Sequence, residues 1–104
     1  MTKKVFIVNN SGHVFTAAEP FGELIFLTEG LFDRYDLTGM FRTFEPILGE
    51  SREDDFILHS GPGVMSAVAC SIFAAKHRCL NLLIWRGEKG GTERYVQRKL
   101  TFNN

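Results

Sequence analysis

The residues with most to offer chemically sit where apolar runs stop. Asn9-Asn10-Ser11-Gly12-His13 follows Val5-Phe6-Ile7-Val8, Thr28-Glu29-Gly30 follows Leu24-Ile25-Phe26-Leu27, and His59-Ser60-Gly61-Pro62-Gly63 follows Phe56-Ile57-Leu58. The third stretch leads directly into a segment with helical spacing. Free backbone amides and the helix dipole at such a junction favour a phosphate or a carboxylate. Gly61 and Gly63 would let a ligand approach the main chain, and because Pro62 has no N–H, donation falls to Gly61, Gly63 and Val64. The Ser60 and Ser11 hydroxyls can add bonds, and Asn10 can contact a base or sugar. Glu29 opposes a phosphate unless its carboxylate meets a ribose hydroxyl or a metal. The expected ligand site is therefore Asn10, Ser11, His13, Thr28, Glu29, Ser60, Gly61 and Gly63. The pattern is neither a Walker A loop nor a G-x-G-x-x-G fingerprint. Gly and Pro between a strand and a helix are also what the turn itself requires.

Other reactive residue types carry less. His13 and His59 can both reach this edge, but proton transfer would need a shaped pocket and a shifted pKa. His77, near a helix end, suits the negative pole of the dipole. Cys70 and His77 share a helical face, yet seven residues rise about 10 Å, too far for one metal. Cys79 has no C-x-x-C partner, and Ser11, Ser60 and Ser66 lack the G-x-S-x-G setting of a hydrolase nucleophile. No metal, no identified cofactor and no reaction follow from these residues.

The elements that must hold the loops can be read from periodicity. Lys4 to Val8 is a continuous apolar run, as expected of a buried strand, and Glu23 to Thr28 is a second one. The dozen or so residues between them allow a short crossover and hence parallel pairing. Asp36 looks like an N-cap, followed at helical spacing by Leu37, Met40, Phe41, Phe44 and Leu48. Pro46 should kink or end that helix, because it cannot donate to the Arg42 carbonyl. Asp55 to His59 reads as the third strand. Pro62 is placed as the first residue of a second helix running to Lys76 or His77. Leu80 to Trp85 is the fourth strand, Gly87-Glu88-Lys89-Gly90-Gly91 a hairpin turn, and Tyr95 to Phe102 an alternating edge strand guarded by Arg94, Arg98 and Lys99. Helical links make strands two, three and four parallel neighbours. The expected fold is a single three-layer Rossmann-like α/β domain over residues 1–104. It has about five strands, mainly parallel, with a C-terminal antiparallel hairpin edge.

Composition fits that reading. The chain has 104 residues, 44% of them hydrophobic and ten of them Phe, enough to bury a core and too much for a disordered chain. Net charge is zero, against a dedicated non-specific nucleic-acid binder. The zero conceals an asymmetry. Residues 19–55 hold ten acids to three bases, a balance of −7, and residues 76–104 hold seven bases to two acids, a balance of +5. Solvated faces explain such runs most simply. Arg86, Lys89, Arg94 and Arg98 near Trp85 and Tyr95 could meet nucleic acid, but a charged edge strand needs the same residues. The apolar run after Lys3-Lys4 is too short for a secretion signal or a membrane span, and two Cys suit a reducing compartment, so a cytoplasmic setting is expected.

Asn9 to Phe102 resembles short proteins of tailed bacteriophages, through Val8-Asn9-Asn10-Ser11-Gly12-His13, Phe21-Gly22-Glu23-Leu24, Phe26-Leu27-Thr28-Glu29-Gly30 and Leu80-Asn81-Leu82-Leu83. That resemblance implies no activity. The glycine loop after a strand is also similar, in architecture alone, to the small Rossmann-like domains that sense cyclic oligoadenylates in bacterial antiviral systems. Fold likeness does not establish function. Two expectations follow. One is a non-enzymatic binding module that takes a nucleotide or other anion at the carboxyl edge of the sheet. The other is a protein-interaction or viral accessory module that docks on a host protein and has no small-molecule ligand. The helix from Gly63 to Lys76 has small residues around most of its circumference, which adds the expectation of a homodimer.

Overall fold

A computed structural model describes residues 2–10, 12–87 and 94–102 of the chain. Ser11 and the turn residues Glu88, Lys89, Gly90 and Gly91 lie outside them. The elements run β1 (Lys4–Ile7), a 3-10 helix η1 (Thr16–Phe21), β2 (Glu23–Phe26), α1 (Leu37–Leu48), β3 (Phe56–Leu58), α2 (Gly63–His77), β4 (Cys79–Arg86) and β5 (Arg94–Thr101). One five-stranded sheet has the order β2-β1-β3-β4-β5. The first four strands are mutually parallel and β5 is antiparallel to β4, with Trp85 opposite Tyr95 and Leu82 opposite Arg98.

The sequence expectation is met for the α/β class, the mainly parallel sheet and the antiparallel final edge. It differs in one neighbour. β2 and β3 are not adjacent, because β1 lies between them. Burial gives the reason. Val5, Phe6, Ile7 and Val8 are wholly enclosed, whereas β2 is exposed to partly buried along its length. The more apolar strand takes an interior position, where both faces are covered, and β2 becomes an edge.

Connections stepping in opposite directions across a parallel sheet lie on opposite faces when they share one hand. Accordingly η1 covers one face and α1 with α2 the other. Phe6, Val8, Ile57, Met40, Phe44, Leu48, Met65 and Phe73 form the core under the helices. Val5, Ile7, Phe56, Leu58 and Leu83 pack with Phe15 and Ala18 beneath η1. Alternation along each strand sends successive side chains to these two cores.

Local signals act as their chemistry requires. The Asp36 carboxylate accepts from the Gly39 amide at 2.9 Å and caps α1. Helix α1 stops at Leu48, two residues after Pro46. Pro62 stands one residue earlier than expected: it is the N-cap of α2, with the extended ψ of a cap, and Gly63 is the first helical residue. α2 joins β4 through the single residue Arg78, held in the left-handed region at φ 59. Its amide donates to the Ala74 carbonyl, and its carbonyl accepts from the Phe102 amide.

Candidate functional site

Parallel strands gather their carboxyl ends at one edge, and a crevice opens where successive connections leave to opposite faces. Here that point lies between β1, whose chain departs toward η1, and β3, whose chain departs toward α2. A cavity of about 390 Å³ occupies it. The loop after β1 contributes His13, Val14 and Phe15, and the loop after β3 contributes His59, Ser60 and Gly61. Trp85 from the end of β4 and Tyr95 from the start of β5 complete the wall. The volume falls within the usual range for small-molecule sites.

Each contributor is positioned by its element. Trp85 and Tyr95 are directly opposed in the antiparallel register, and their rings meet edge to face with centroids 4.9 Å apart. Trp85 is about half exposed. Burial pushes the Tyr95 phenol up, as desolvation of a phenolate requires. Phe15 anchors the first loop in the core against Phe26, at 5.8 Å, and His13 stands edge-on to it at 6.4 Å. His59 Nδ1 is hydrogen-bonded to the Ser66 hydroxyl on the first turns of α2. That contact fixes the ring and leaves Nε2 as the nitrogen available to a ligand. The first turn of α2 supplies the Gly63 and Val64 amides, which have no intrahelical acceptor.

Gly61 has its own structural cause. Its φ is +85, and a Cβ there would lie 3.0 Å from the Asn9 Cβ. Asn9 in turn donates from Nδ2 to the Gly30 carbonyl at 3.1 Å and accepts from the Thr28 hydroxyl at 2.9 Å. The tight turn therefore rests on a buried polar clasp between the first two loops.

The eight residues expected at the site separate into groups. His13, Ser60 and Gly61 line the cavity. Gly63 opens α2 beside it, with free space where a Cβ would stand. Asn10 and Glu29 form a backbone bridge that extends the β1–β2 pairing, and the Asn10 carboxamide accepts from the Gly12 amide at 3.3 Å. Both lie on the β2 side, away from the cavity lining, so the Glu29 carboxylate does not face it. Thr28 is buried, and its hydroxyl also lies 2.8 Å from the Val8 carbonyl oxygen; that oxygen is committed to the fold. Ser11 lies outside the described residues. The cavity adds Val14, Phe15, His59, Trp85 and Tyr95. Trp85 and Tyr95 carry a signal in the sequence: they flank the final turn, and a hairpin returning from the carboxyl end of a parallel strand opens at that same edge.

Two other recesses of similar size differ in character. At the amino edge, about 400 Å³ is bordered by Thr2, Lys4, Glu23, Glu50, Arg52 and Asp55. There the buried Asp55 carboxylate already accepts from the Lys4 and Arg52 amides, both at 2.8 Å. Nearby, Ser51 donates to the Leu48 carbonyl and so accepts from His77 Nε2 at 2.8 Å. Burial, and then the Lys76 ammonium, hold His77 below its ordinary value, with Asp55 and Glu53 pulling the other way. The third recess is an apolar groove between α1 and α2. Burial raises the Cys70 thiol, which favours the neutral form over a reactive thiolate. Among the described residues, no three His, Cys, Asp or Glu side chains gather in a metal-binding group, and no helix is long and apolar enough to cross a membrane.

Comparison with known proteins adds one finding. No curated protein and no solved structure matches the chain. A family model described as Phage Pam3 gp32-like protein matches residues 3–101, which span every strand and helix and all the residues lining the carboxyl-edge cavity; the chain belongs to that phage protein family.

Proposed function

We propose that the chain is a binding module whose carboxyl-edge cavity accepts a nucleotide or a similar ligand that joins a flat ring to an anionic group. The observation that carries this reading is one cavity lined by the Trp85–Tyr95 aromatic pair, by His13 and His59, and by the Ser60-Gly61 turn that leads into α2. An exposed indole face offers stacking to a base. The His59 ring, the Ser60 hydroxyl and the amides entering α2 offer donors to a phosphate. Among the described residues, no acidic side chain lines the cavity.

Trp85 is the single tryptophan of the chain and so reports directly on this cavity. The test titrates AMP, adenosine and inorganic phosphate while following tryptophan emission and thermal unfolding. AMP is expected to quench Trp85 and raise the melting temperature, since a ligand at a hundred times its Kd stabilises the folded state by about 2.7 kcal/mol. Adenosine and phosphate separate the ring and anion contributions. Absence of both responses to all three at millimolar concentration rejects the reading.

A further inference from the structure

We propose that the outer face of α1 and α2 is the interface of a two-fold dimer of this chain, an inference independent of the ligand reading. α2 has no charged residue from Gly63 through Ala75. Its inward side, Met65, Ala69 and Phe73, is fully buried in the core. Its outward positions Ala67, Ser71 and Ala75, spaced one turn apart, are exposed. A helix without a polar face calls for cover on its outer side as well. α1 differs, since Arg42 and Glu45 give it a solvated side. Its Leu37 and Phe41, one turn apart, nevertheless stand 52% exposed beside the α2 surface. Together these residues wall an apolar groove of about 440 Å³. The one hydroxyl in it, that of Ser71, donates to the Ala67 carbonyl at 2.7 Å, so drying the groove strands no donor.

The occupant is a second copy because ridge and recess lie on the same surface. Both helices link parallel strands on the same face of the sheet, so they run in the same direction, and Glu45 shares a recess with the end of α2. A two-fold axis along the helices then sets α1 of each copy against α2 of the other. Each Phe41 packs on Ala67, Ser71 and Ala75 of its mate, as an isologous contact requires. The same rotation brings Glu45 of one copy to Lys76 of the other, since both flank one recess at the carboxyl end of the pair. Opposite charges thus meet twice across the axis. Leu31 and Tyr35, both well exposed in the loop entering α1, widen the apolar rim. Helices of 12 and 15 residues give a face about 20 Å long and about 20 Å wide. That is smaller than the roughly 800 Å² per partner of a standard interface, so the dimer should be a weak one.

Sedimentation equilibrium of the full chain from about 10 to about 500 μM tests this, a range chosen for micromolar affinity. The expected mass rises toward twice 11.8 kDa with concentration. Ala67→Glu should hold the protein at the mass of one chain while its circular dichroism and melting temperature at low concentration stay those of the parent. Glu45→Lys should weaken association about threefold to tenfold, and the charge exchange Glu45→Lys with Lys76→Glu should restore it. Should Ala67→Glu fail to fold, Phe41→Ser serves the same purpose from the other helix. A one-chain mass at the highest concentration overturns the proposal, as does a dimer indifferent to both the Ala67 and Phe41 changes.

Discussion

The two edges of the sheet hold recesses of nearly equal volume and opposite character. At the amino edge the polar groups serve one another: Asp55 holds the Lys4 and Arg52 amides, Asn81 donates to the Asp54 carbonyl, and Ser51 joins His77 to Leu48. At the carboxyl edge the deep polar groups, Asn9 and Thr28, are likewise consumed, but the cavity wall above them is not. His13, His59 and Ser60 line a space also bordered by the Trp85 indole. Volume therefore does not single out a candidate site in this protein. The two recesses differ in whether their most buried polar side chain is already committed to the fold, as Asp55 is at the amino edge.

That comparison can be broken by substitution. Asp55→Ala should have the largest effect, because two amides at a buried site lose their acceptor, at about 1–3 kcal/mol for each donor left unsatisfied. Urea denaturation should show the loss, with the Trp85 ligand response unchanged in the protein that remains folded. A carboxyl-edge response that vanished with Asp55 would mean the two edges are not separate.

Thr28→Val should come next, at about 1–2 kcal/mol, since it removes the hydroxyl that links the Val8 carbonyl and Asn9 while keeping the shape. If Thr28 is a clasp, affinity for AMP should change less than stability does. A variant of normal stability that lost binding would instead make Thr28 a ligand contact.

His77 sharpens the account of the amino edge by acid. Its folded-state pKa is depressed, so the unfolded chain takes up the proton first as pH falls below about 6.5. The contribution is fully present above that value and is lost as pH drops toward the folded pKa. Stability measured at neutral and at mildly acidic pH should therefore fall less in His77→Gln than in the parent. Equal slopes would remove His77 from the acid response.

The smallest structural effect is expected at the carboxyl edge itself. Trp85→Leu should cost stability on the order of 1 kcal/mol, because the indole is half exposed and its pairing with Tyr95 is an edge-to-face contact of that scale. Binding of AMP, read by the melting-temperature shift, should nonetheless weaken strongly. A large loss of stability with unchanged binding would make the indole part of the core and leave the cavity without its stacking wall.

Local sequence carried the elements because their causes are local. Four apolar runs bounded by Gly, Asn and Ser can only be strands or buried segments. Asp36 caps α1 through a bond three residues away, and Pro46 limits that helix within one turn. The small residues around α2 were equally plain, and with them the expectation that more than one side is covered. Tertiary structure decided the rest. Pattern alone does not say that β1 separates β2 from β3, since that depends on which strand both layers can enclose. Thr28 and His13 follow strands in the same way, yet one turns into the core and the other toward a cavity, because only the neighbouring loop provides the Asn9 partner. Trp85 and Tyr95 reach His59 through an antiparallel register that pairs residues ten apart and a parallel ladder that pairs Leu58 with Leu83. Contacts of that separation follow from how the layers close on the sheet, and no short window of sequence contains both partners.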